Sequence, residues 1–221
     1  MAAEPRDARV FVCANTALIS PPLVPEIRLH LASEITPLWH ATEATLEVQQ
    51  LPPPYWAFAW AGGQALARYV LDNPALFGGK RVLDFGAGSG LVAVAAARTG
   101  AIATAAEIDP FAVASIALNA EANGVAVAIE RRDVIDQDAA RWDAILAGDM
   151  CYERPLAERL TRWLRACAEQ GITVLLGDPG RAYLPASGLE ALARYTVPTS
   201  LDLEDRTSRE ATVWRLREVF R

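Results

Sequence analysis

A glycine-rich segment near the middle of the chain limits the possible folds more than any other feature. It reads Asp84-Phe-Gly-Ala-Gly-Ser-Gly90, which begins at the end of the short apolar run Arg81–Phe85 and directly precedes the alanine-rich run Leu91–Arg98. Glycines allow positive φ and a close approach of a ligand to the backbone, and a helix that begins here directs free amide groups at that ligand. The segment therefore predicts a strand, a ligand-binding loop and a helix in succession.

Strands and helices alternate along the rest of the chain. Asp109 can cap a helix that has Pro110 at its first position and ends at Asn123-Gly124. Alternation of this kind predicts an α/β, Rossmann-like fold with a mostly parallel sheet, and two C-terminal strands joined by the charged turn Asp202–Glu210 suit an antiparallel hairpin that closes it. The predicted strands are Arg81–Phe85, Ala101–Ala106, Ala126–Glu130, Trp142–Ala147, Ile172–Leu176, Arg194–Leu201 and Ala211–Leu216, and the other predicted helices are Pro25–Leu31, Gly62–Leu71, Leu91–Arg98 and Pro155–Ala168.

Composition excludes several classes of protein. The 221 residues suit one α/β domain, and the apolar fraction of 52% excludes disorder. A formal charge of -6 counts against a non-specific nucleic-acid partner, and no apolar run has the ~20 residues that a membrane span needs. The first residues lack a signal-peptide layout, so we expect a cytoplasmic protein. Cys13, Cys151 and Cys167 lie far apart and suggest neither a disulfide framework nor a metal site.

A second acidic residue, Glu107, ends the strand that follows the glycine loop. A carboxylate at this place can accept hydrogen bonds from ribose hydroxyls, which indicates a nucleoside cofactor of either the dinucleotide or the S-adenosylmethionine type. The glycine spacing favours the second type: a dinucleotide loop has the spacing G-x-G-x-x-G, whereas G-x-G-x-G after an acid resembles the first motif of class I methyltransferases.

The resemblance to class I methyltransferases implies roles for several residues. Asp84 would meet the amino end of the methionine part of S-adenosylmethionine, and Glu107 would bind its ribose. Asp133 stands where such enzymes often bind the adenine amino group, although an ordinary loop aspartate is an equal alternative. The other residues expected at the cofactor, or at its product S-adenosylhomocysteine, are Gly86, Ala87, Gly88 and Gly148.

The fourth predicted strand leads into Gly148-Asp-Met-Cys-Tyr152. The spacing of Asp149 and Tyr152 resembles the D/E-x-x-Y/F signature of seven-strand protein lysine methyltransferases, rather than the Asn/Asp-Pro-Pro-Tyr/Phe turn of DNA and glutamine methyltransferases. The resemblance implies that Asp149 orients the incoming lysine and that Tyr152 shapes its binding site. Cys151 is expected to be a small packing residue.

Longer segments resemble one family more closely. Trp56–Tyr69, Asp109-Pro110, Gly148–Met150 and the run Gly177-Asp-Pro-Gly-Arg181 occur in the order found in the electron transfer flavoprotein β-subunit lysine methyltransferases. The resemblance covers about Pro54 to Trp214. It implies that Trp60 lines the cofactor pocket, the alternative being a tryptophan that anchors the following helix in the core.

The resemblance also implies a domain layout and a function. We expect a helical extension with a proline-rich connector at residues 1–53 and an S-adenosylmethionine-dependent methyltransferase domain at 54–221. The expected reaction is methylation of a lysine on the β subunit of electron transfer flavoprotein, with Arg181 and the turn Asp202–Glu210 framing the docking surface. The alternatives are a methyltransferase for a ribosomal protein or a small molecule, a nicotinamide-dependent oxidoreductase, and a non-catalytic binding module.

Overall fold

The fold is given by a computed structural model that describes residues 5–32, 53–199 and 207–217. The described helices are α1 (Pro5–Asn15), α2 (Ala61–Asp72), α3 (Leu91–Arg98), α4 (Pro110–Ala122) and α5 (Arg154–Glu169), with short 3₁₀ turns at Tyr55–Ala57 and Pro74–Leu76. The strands are β1 (Ala17–Ile19), β2 (Leu29–Leu31), β3 (Arg81–Phe85), β4 (Ile102–Ala106), β5 (Ala128–Glu130), β6 (Ala144–Gly148), β7 (Thr173–Asp178), β8 (Leu189–Pro198) and β9 (Ser208–Leu216).

Seven of these strands form one sheet in the order β5-β4-β3-β6-β7-β9-β8. The first five are parallel, and β9 pairs antiparallel with both β7 and β8. The predicted α/β fold with an antiparallel C-terminal hairpin is therefore confirmed. The chain proceeds from β3 towards one edge and then returns to place β6 on the other side of β3. Ligands of doubly wound sheets bind at such a switch point, outside the carboxyl ends of the strands.

Apolar side chains cover both faces of the sheet, as a parallel sheet requires. Side chains alternate along each strand, so Val82 contributes to the core on one face, together with α2 and α3, while Leu83 contributes to the core on the other, together with α5. The helix predicted from Asp109-Pro110 is also confirmed, because the Asp109 side chain accepts a hydrogen bond from the Phe111 amide at 2.8 Å.

The prediction of a helix at Pro25–Leu31 is wrong. Leu29–Leu31 is strand β2, which pairs with β1, and Leu29 and Leu31 are buried on either side of the half-buried His30. The His30 amide donates to the Asn119 side chain at 2.7 Å, so a long-range contact outweighs the local helical pattern. The helix in this part of the chain is α1, which packs against α4 through Ala8 and Val12.

Other boundaries differ less from the predictions. Strand β8 begins at Leu189 rather than Arg194, because a bulge between Ala191 and Ala193 interrupts the alternation of side chains. The predicted strand end at Leu201 and most of the turn Asp202–Glu210 lie outside the described residues. The domain boundary at residue 53 stays a prediction, and the described part of the predicted extension contributes to the main core, through Val24, Ile27, Leu29 and Leu31. Among the described helices, none has the length and apolar character of a membrane span.

Candidate active site

A cavity of about 490 Å³ opens at the carboxyl ends of β3, β4 and β6. Every one of the ten residues predicted for the site lines it: Trp60, Asp84, Gly86, Ala87, Gly88, Glu107, Asp133, Gly148, Asp149 and Tyr152. A second cavity of about 470 Å³ lies at the opposite end of the sheet, and none of the ten lines that one. The structure therefore brings together residues that are up to 92 positions apart in the sequence, the span from Trp60 to Tyr152.

The glycine loop leaves open space beside the cavity at Gly88. Its φ is +52°, and a Cβ placed there would meet only the Trp56 Cα, at 3.8 Å, within 4 Å. A ligand can thus approach the Gly88 backbone closely, as the loop sequence predicts.

Asp84 is fully buried at the end of β3. Its Oδ2 accepts a hydrogen bond from the Ala93 amide at 2.9 Å, and this bond caps α3, whose own cap residue Gly90 offers no side chain. Burial raises the pKa of Asp84 to about 8, against the opposing effect of the Ala93 amide. The side chain is therefore mostly protonated at neutral pH in the ligand-free protein and would ionise beside a bound cation. Its contact with a methionine amino group stays a prediction.

Glu107 organises the backbone around it. Its Oε2 accepts from the Gly88 amide at 3.0 Å, and its Oε1 accepts from the amides of Ile108 at 2.7 Å and Asp109 at 3.2 Å. A carboxylate has about four lone-pair sites, so acceptor capacity remains chiefly on Oε2. The residue thus links the glycine loop to the start of α4 and still has room for a ligand donor.

Asp133 lines the cavity but is engaged on both oxygens. Oδ1 accepts from the Ile135 amide at 2.9 Å, and Oδ2 forms an ion pair with Arg159. These partners are those of a loop aspartate, which was the alternative given by the sequence. Its contact with an adenine amino group stays a prediction.

Asp149 joins three segments of the chain. Its Oδ2 accepts from the Gly63 amide of α2 at 2.8 Å, and its Oδ1 accepts from Arg181, whose Nη2 lies 2.8 Å away. Burial raises the pKa of Asp149 to about 6, while Arg181 and the Gly63 amide act in the opposite direction. Its φ of +58° is unusual for a residue with a side chain, and the backbone is fixed by a bond from its amide to the Gly177 carbonyl at 2.9 Å.

Glycines explain why these segments can meet. A Cβ on Gly62 would collide with the Gly177 carbonyl oxygen, and a Cβ on Gly148 would lie 2.8 Å from the Gly63 Cα. The start of α2 therefore lies directly against the ends of β6 and β7. This close contact explains the glycines at positions 62, 148 and 177, each of which lies in a different segment of the family resemblance.

Aromatic rings form one wall of the cavity. The Tyr55 ring centroid lies 6.0 Å from that of Trp60 and 5.5 Å from that of Tyr152, and these three side chains are called the aromatic wall below. Trp60 is also the first residue before α2, and its indole donates to the Tyr55 carbonyl at 2.8 Å. Trp60 is half-buried and lines the cavity, so the structure favours the first interpretation over a tryptophan anchored in the core. Its contact with a cofactor stays a prediction.

Two residues of the cavity are absent from the predicted site: Tyr55, and Arg181, which was predicted only to frame the docking surface. Tyr55 and Arg181 both line the cavity. Arg181 stands in the Gly-Asp-Pro-Gly-Arg run that carried the family resemblance, so the run marked its importance without indicating its partner. Tyr55 follows the proline-rich connector and carried no signal of its own. Cys151 is buried, and burial raises the pKa of its thiol to about 12, which agrees with a packing role.

Comparisons with known proteins identify the same class of enzyme. The sequence model of the ribosomal protein L11 methyltransferase family (PrmA) matches residues 65–175. Among solved structures, magnesium protoporphyrin IX methyltransferase from Synechocystis is similar in fold, with a TM-score of 0.53 over 71% of this chain and 80% of that one, at 16% sequence identity.

Curated relatives match nearly the whole chain. The electron transfer flavoprotein β-subunit lysine methyltransferase of Danio rerio is 40% identical over 95% of this chain and 83% of its own length. The human protein of the same name is 36% identical over 94% of this chain and 81% of its own length. At this identity and coverage, the chain belongs to the electron transfer flavoprotein β-subunit lysine methyltransferase family.

Proposed function

We propose that this protein transfers a methyl group from S-adenosylmethionine to a lysine of the electron transfer flavoprotein β subunit. The observation that carries the proposal is the meeting of two sets of residues in one cavity. The glycine loop and Glu107 suit a nucleoside cofactor, and Asp149 and the aromatic wall suit a lysine side chain. The names of the relatives support the choice of substrate.

The cavity fits the cofactor that the family implies. The open space at Gly88 admits a ligand to the loop backbone, Oε2 of Glu107 can accept a further donor, and buried Asp84 can gain a cationic partner. When bound, S-adenosylmethionine supplies a methyl group that its sulfonium already activates. The protein then has to position the nucleophile, and orientation of this kind can contribute roughly 7–11 kcal/mol.

The incoming amine must lose its proton before it can accept a methyl group. A free lysine has a pKa of about 10.4, so only about one in 2,500 is neutral at pH 7. Burial against the aromatic wall favours the neutral form, and aromatic faces also attract the cationic form as it arrives. Asp149 orients the amine. Its Oδ2 accepts one hydrogen bond, from the Gly63 amide, and so retains a lone-pair site for the amine. We infer that the proton leaves to water.

The alternative of a ribosomal-protein substrate has less support. The ribosomal protein L11 methyltransferase model matches residues 65–175, a range that leaves out three residues of the cavity, Tyr55, Trp60 and Arg181. The flavoprotein methyltransferases match across these residues as well. A cytoplasmic location remains a prediction.

Asp149→Asn tests the catalytic assignment. The substitution keeps the shape of the side chain and an acceptor for the Gly63 amide, but removes the charge that orients the lysine. We expect methyl transfer to the purified flavoprotein β subunit to fall by about 10²-fold, while calorimetry shows little change in S-adenosylhomocysteine affinity.

Asp136→Asn is the matched control. Asp136 is also an aspartate at positive φ, +66°, and is also paired with an arginine, Arg159, but it does not line the cavity. Its substitution should leave transfer unchanged. Normal turnover by Asp149→Asn would show that Asp149 has only a structural role.

A further inference from the structure

Arg181 is held in place by its own backbone. The Asp178 side chain at the end of β7 accepts hydrogen bonds from the amides of Gly180 and Arg181, both at 2.7 Å. The Arg181 side chain then reaches Asp149, with Nε at 3.1 Å and Nη2 at 2.8 Å from the same oxygen, Oδ1. Its guanidinium carbon lies 5.6 Å from the centre of the Trp60 ring. A cation of the protein itself thus contacts both the carboxylate and the aromatic wall.

The polar and charged groups that act on Asp149 come from α2, from the end of β7 and from its own segment after β6. From α2, the Gly63 amide donates to Oδ2, and from the end of β7 come Arg181 and the carboxyl of Asp178. The Cys151 thiol, two residues along the chain, has its pKa raised and stays neutral. Arg181 and the Gly63 amide favour ionised Asp149, whereas burial and Asp178 oppose it.

A carboxylate beside the amine creates a conflict for this reaction. It orients the lysine, but it also stabilises the ammonium form and raises the pKa of the amine that has to be neutral. A guanidinium in contact with the carboxylate offsets this effect. The side chains of Arg181 and Asp149 are only 22% and 10% exposed, so solvent screens the pair weakly.

We propose that Arg181 is a positioning residue of the methyl-transfer site, which fixes the Asp149 carboxylate and offsets its charge so that it orients the substrate amine without retaining it as an ammonium ion. The inference rests on the proposed function. It assigns no proton transfer to Arg181, which acts on the substrate through Asp149.

The first test is the pH dependence of methyl transfer. Arg181→Met removes the charge but keeps a long side chain, and Arg181→Gln is a second uncharged variant should the first fold poorly. With the guanidinium gone, the ammonium form of the substrate binds Asp149 directly. We expect kcat at neutral pH to fall and the midpoint of the kcat profile to rise by roughly one pH unit or more, because Arg181 no longer offsets the stabilisation of the ammonium form by Asp149.

Two variants serve as controls. Arg181→Lys keeps the charge, so its midpoint should stay near that of the unaltered protein. Arg154→Met removes an exposed guanidinium that also lies over an aromatic ring, Tyr183 at 5.4 Å, but does not line the cavity, and it should change neither KM nor the profile. A merely structural Arg181 would lower stability and raise KM without moving the midpoint.

The second test needs no substrate. In protein labelled with ¹³C-aspartate, the Asp149 carboxyl signal, assigned with Asp149→Asn, is followed by NMR as a function of pH. We expect its midpoint to lie higher in Arg181→Met than in the unaltered protein, because the largest attraction on the carboxylate is lost. Equal midpoints for Asp149, or equal kcat profiles, would overturn the inference. Failure of the unaltered enzyme to methylate the flavoprotein would instead contradict the proposed function, and the NMR titration would still test Arg181.

Discussion

At the scale of single residues, two buried aspartates serve the fold as well as the site. Asp84 caps α3 through the Ala93 amide, and Asp149 caps α2 through the Gly63 amide. In both helices the residue at the cap position provides no side-chain hydrogen bond to the first turn. A carboxylate from the end of a strand accepts a bond from a first-turn amide instead. Loss of activity on substitution is therefore informative only when folding and cofactor binding are measured alongside.

The raised pKa of Asp84 predicts a pH-dependent stability. In the folded protein its pKa is about 8, against 3.8 in a model peptide, so between these values the folded state holds a proton that the unfolded state has lost. Stability therefore falls as the pH rises through this range. From pH 6 to 8 we expect Asp84 to account for a loss of about 1–3 kcal/mol, with smaller losses from Asp109 and Asp149, whose pKa values of about 6 lie at the lower end of this range.

Urea unfolding of the ligand-free protein at pH 6 and pH 8 measures this loss. Asp84→Asn has no such proton and retains an acceptor for the Ala93 amide, so its stability should change less between the two values. Parallel changes in the variant and the unaltered protein would show that Asp84 is not the group responsible.

Gly88 provides a separate test of the cofactor loop. We expect Gly88→Val to abolish binding of S-adenosylhomocysteine in calorimetry, because the branched side chain enters the space beside the cavity. Gly79→Val is the control, since Gly79 also has a positive φ, +72°, with open space around it, but does not line the cavity. The Gly79→Val variant should have a similar backbone strain but bind S-adenosylhomocysteine normally. Retained binding by Gly88→Val would contradict the assignment of the loop.

At the scale of elements, the site depends on how closely α2 approaches β6 and β7. Gly62 of α2 contacts Gly177 at the end of β7. Asp149 lies beside this contact and bonds to both elements, through the Gly63 amide and the Gly177 carbonyl. This contact brings Trp60, at the start of α2, and Arg181, beyond β7, to the same side of the cavity. The aromatic wall and the charged pair are thus positioned by one glycine contact between a helix and the sheet.

Two adjacent glycines of α2 should respond oppositely to alanine. Gly62→Ala places a Cβ against the Gly177 carbonyl and the Asp149 carboxylate, and we expect a loss of about 1–3 kcal/mol or more. Gly63→Ala meets no atom within 4 Å and should gain up to about 1 kcal/mol from helix propensity. Urea unfolding of both variants measures the difference, and equal effects would show that the contact is not close packed.

Much of the element pattern could be predicted because its signals are local. The apolar run of β3 and the Asp109-Pro110 cap of α4 identified their elements directly. The strand at Leu29–Leu31 could not be predicted in this way, because the His30 amide bonds to the side chain of Asn119, which is 89 positions away in the sequence. Local sequence also gave no partner for Arg181, whose ion pair with Asp149 spans 32 positions.

At the scale of the whole molecule, the fold gathers the glycine loop and the proposed lysine-binding region at one switch point of the sheet. The ribosomal protein L11 methyltransferase family matches residues 65–175, which include the glycine loop, Glu107 and Asp149 but not Trp60 or Arg181. The proposed lysine-binding region is built from the aromatic wall, Asp149 and Arg181. We therefore expect the choice of substrate to depend on the residues of this region that lie outside the match, Tyr55, Trp60 and Arg181, and on the surface around them.

A direct competition between substrates tests the central claim. The enzyme is incubated with labelled S-adenosylmethionine and equal amounts of the electron transfer flavoprotein β subunit and ribosomal protein L11 from its own organism, and the labelled residues are identified by mass spectrometry. We expect the label on lysine of the flavoprotein subunit, with little on the ribosomal protein. Label on the ribosomal protein and none on the flavoprotein subunit would contradict the account.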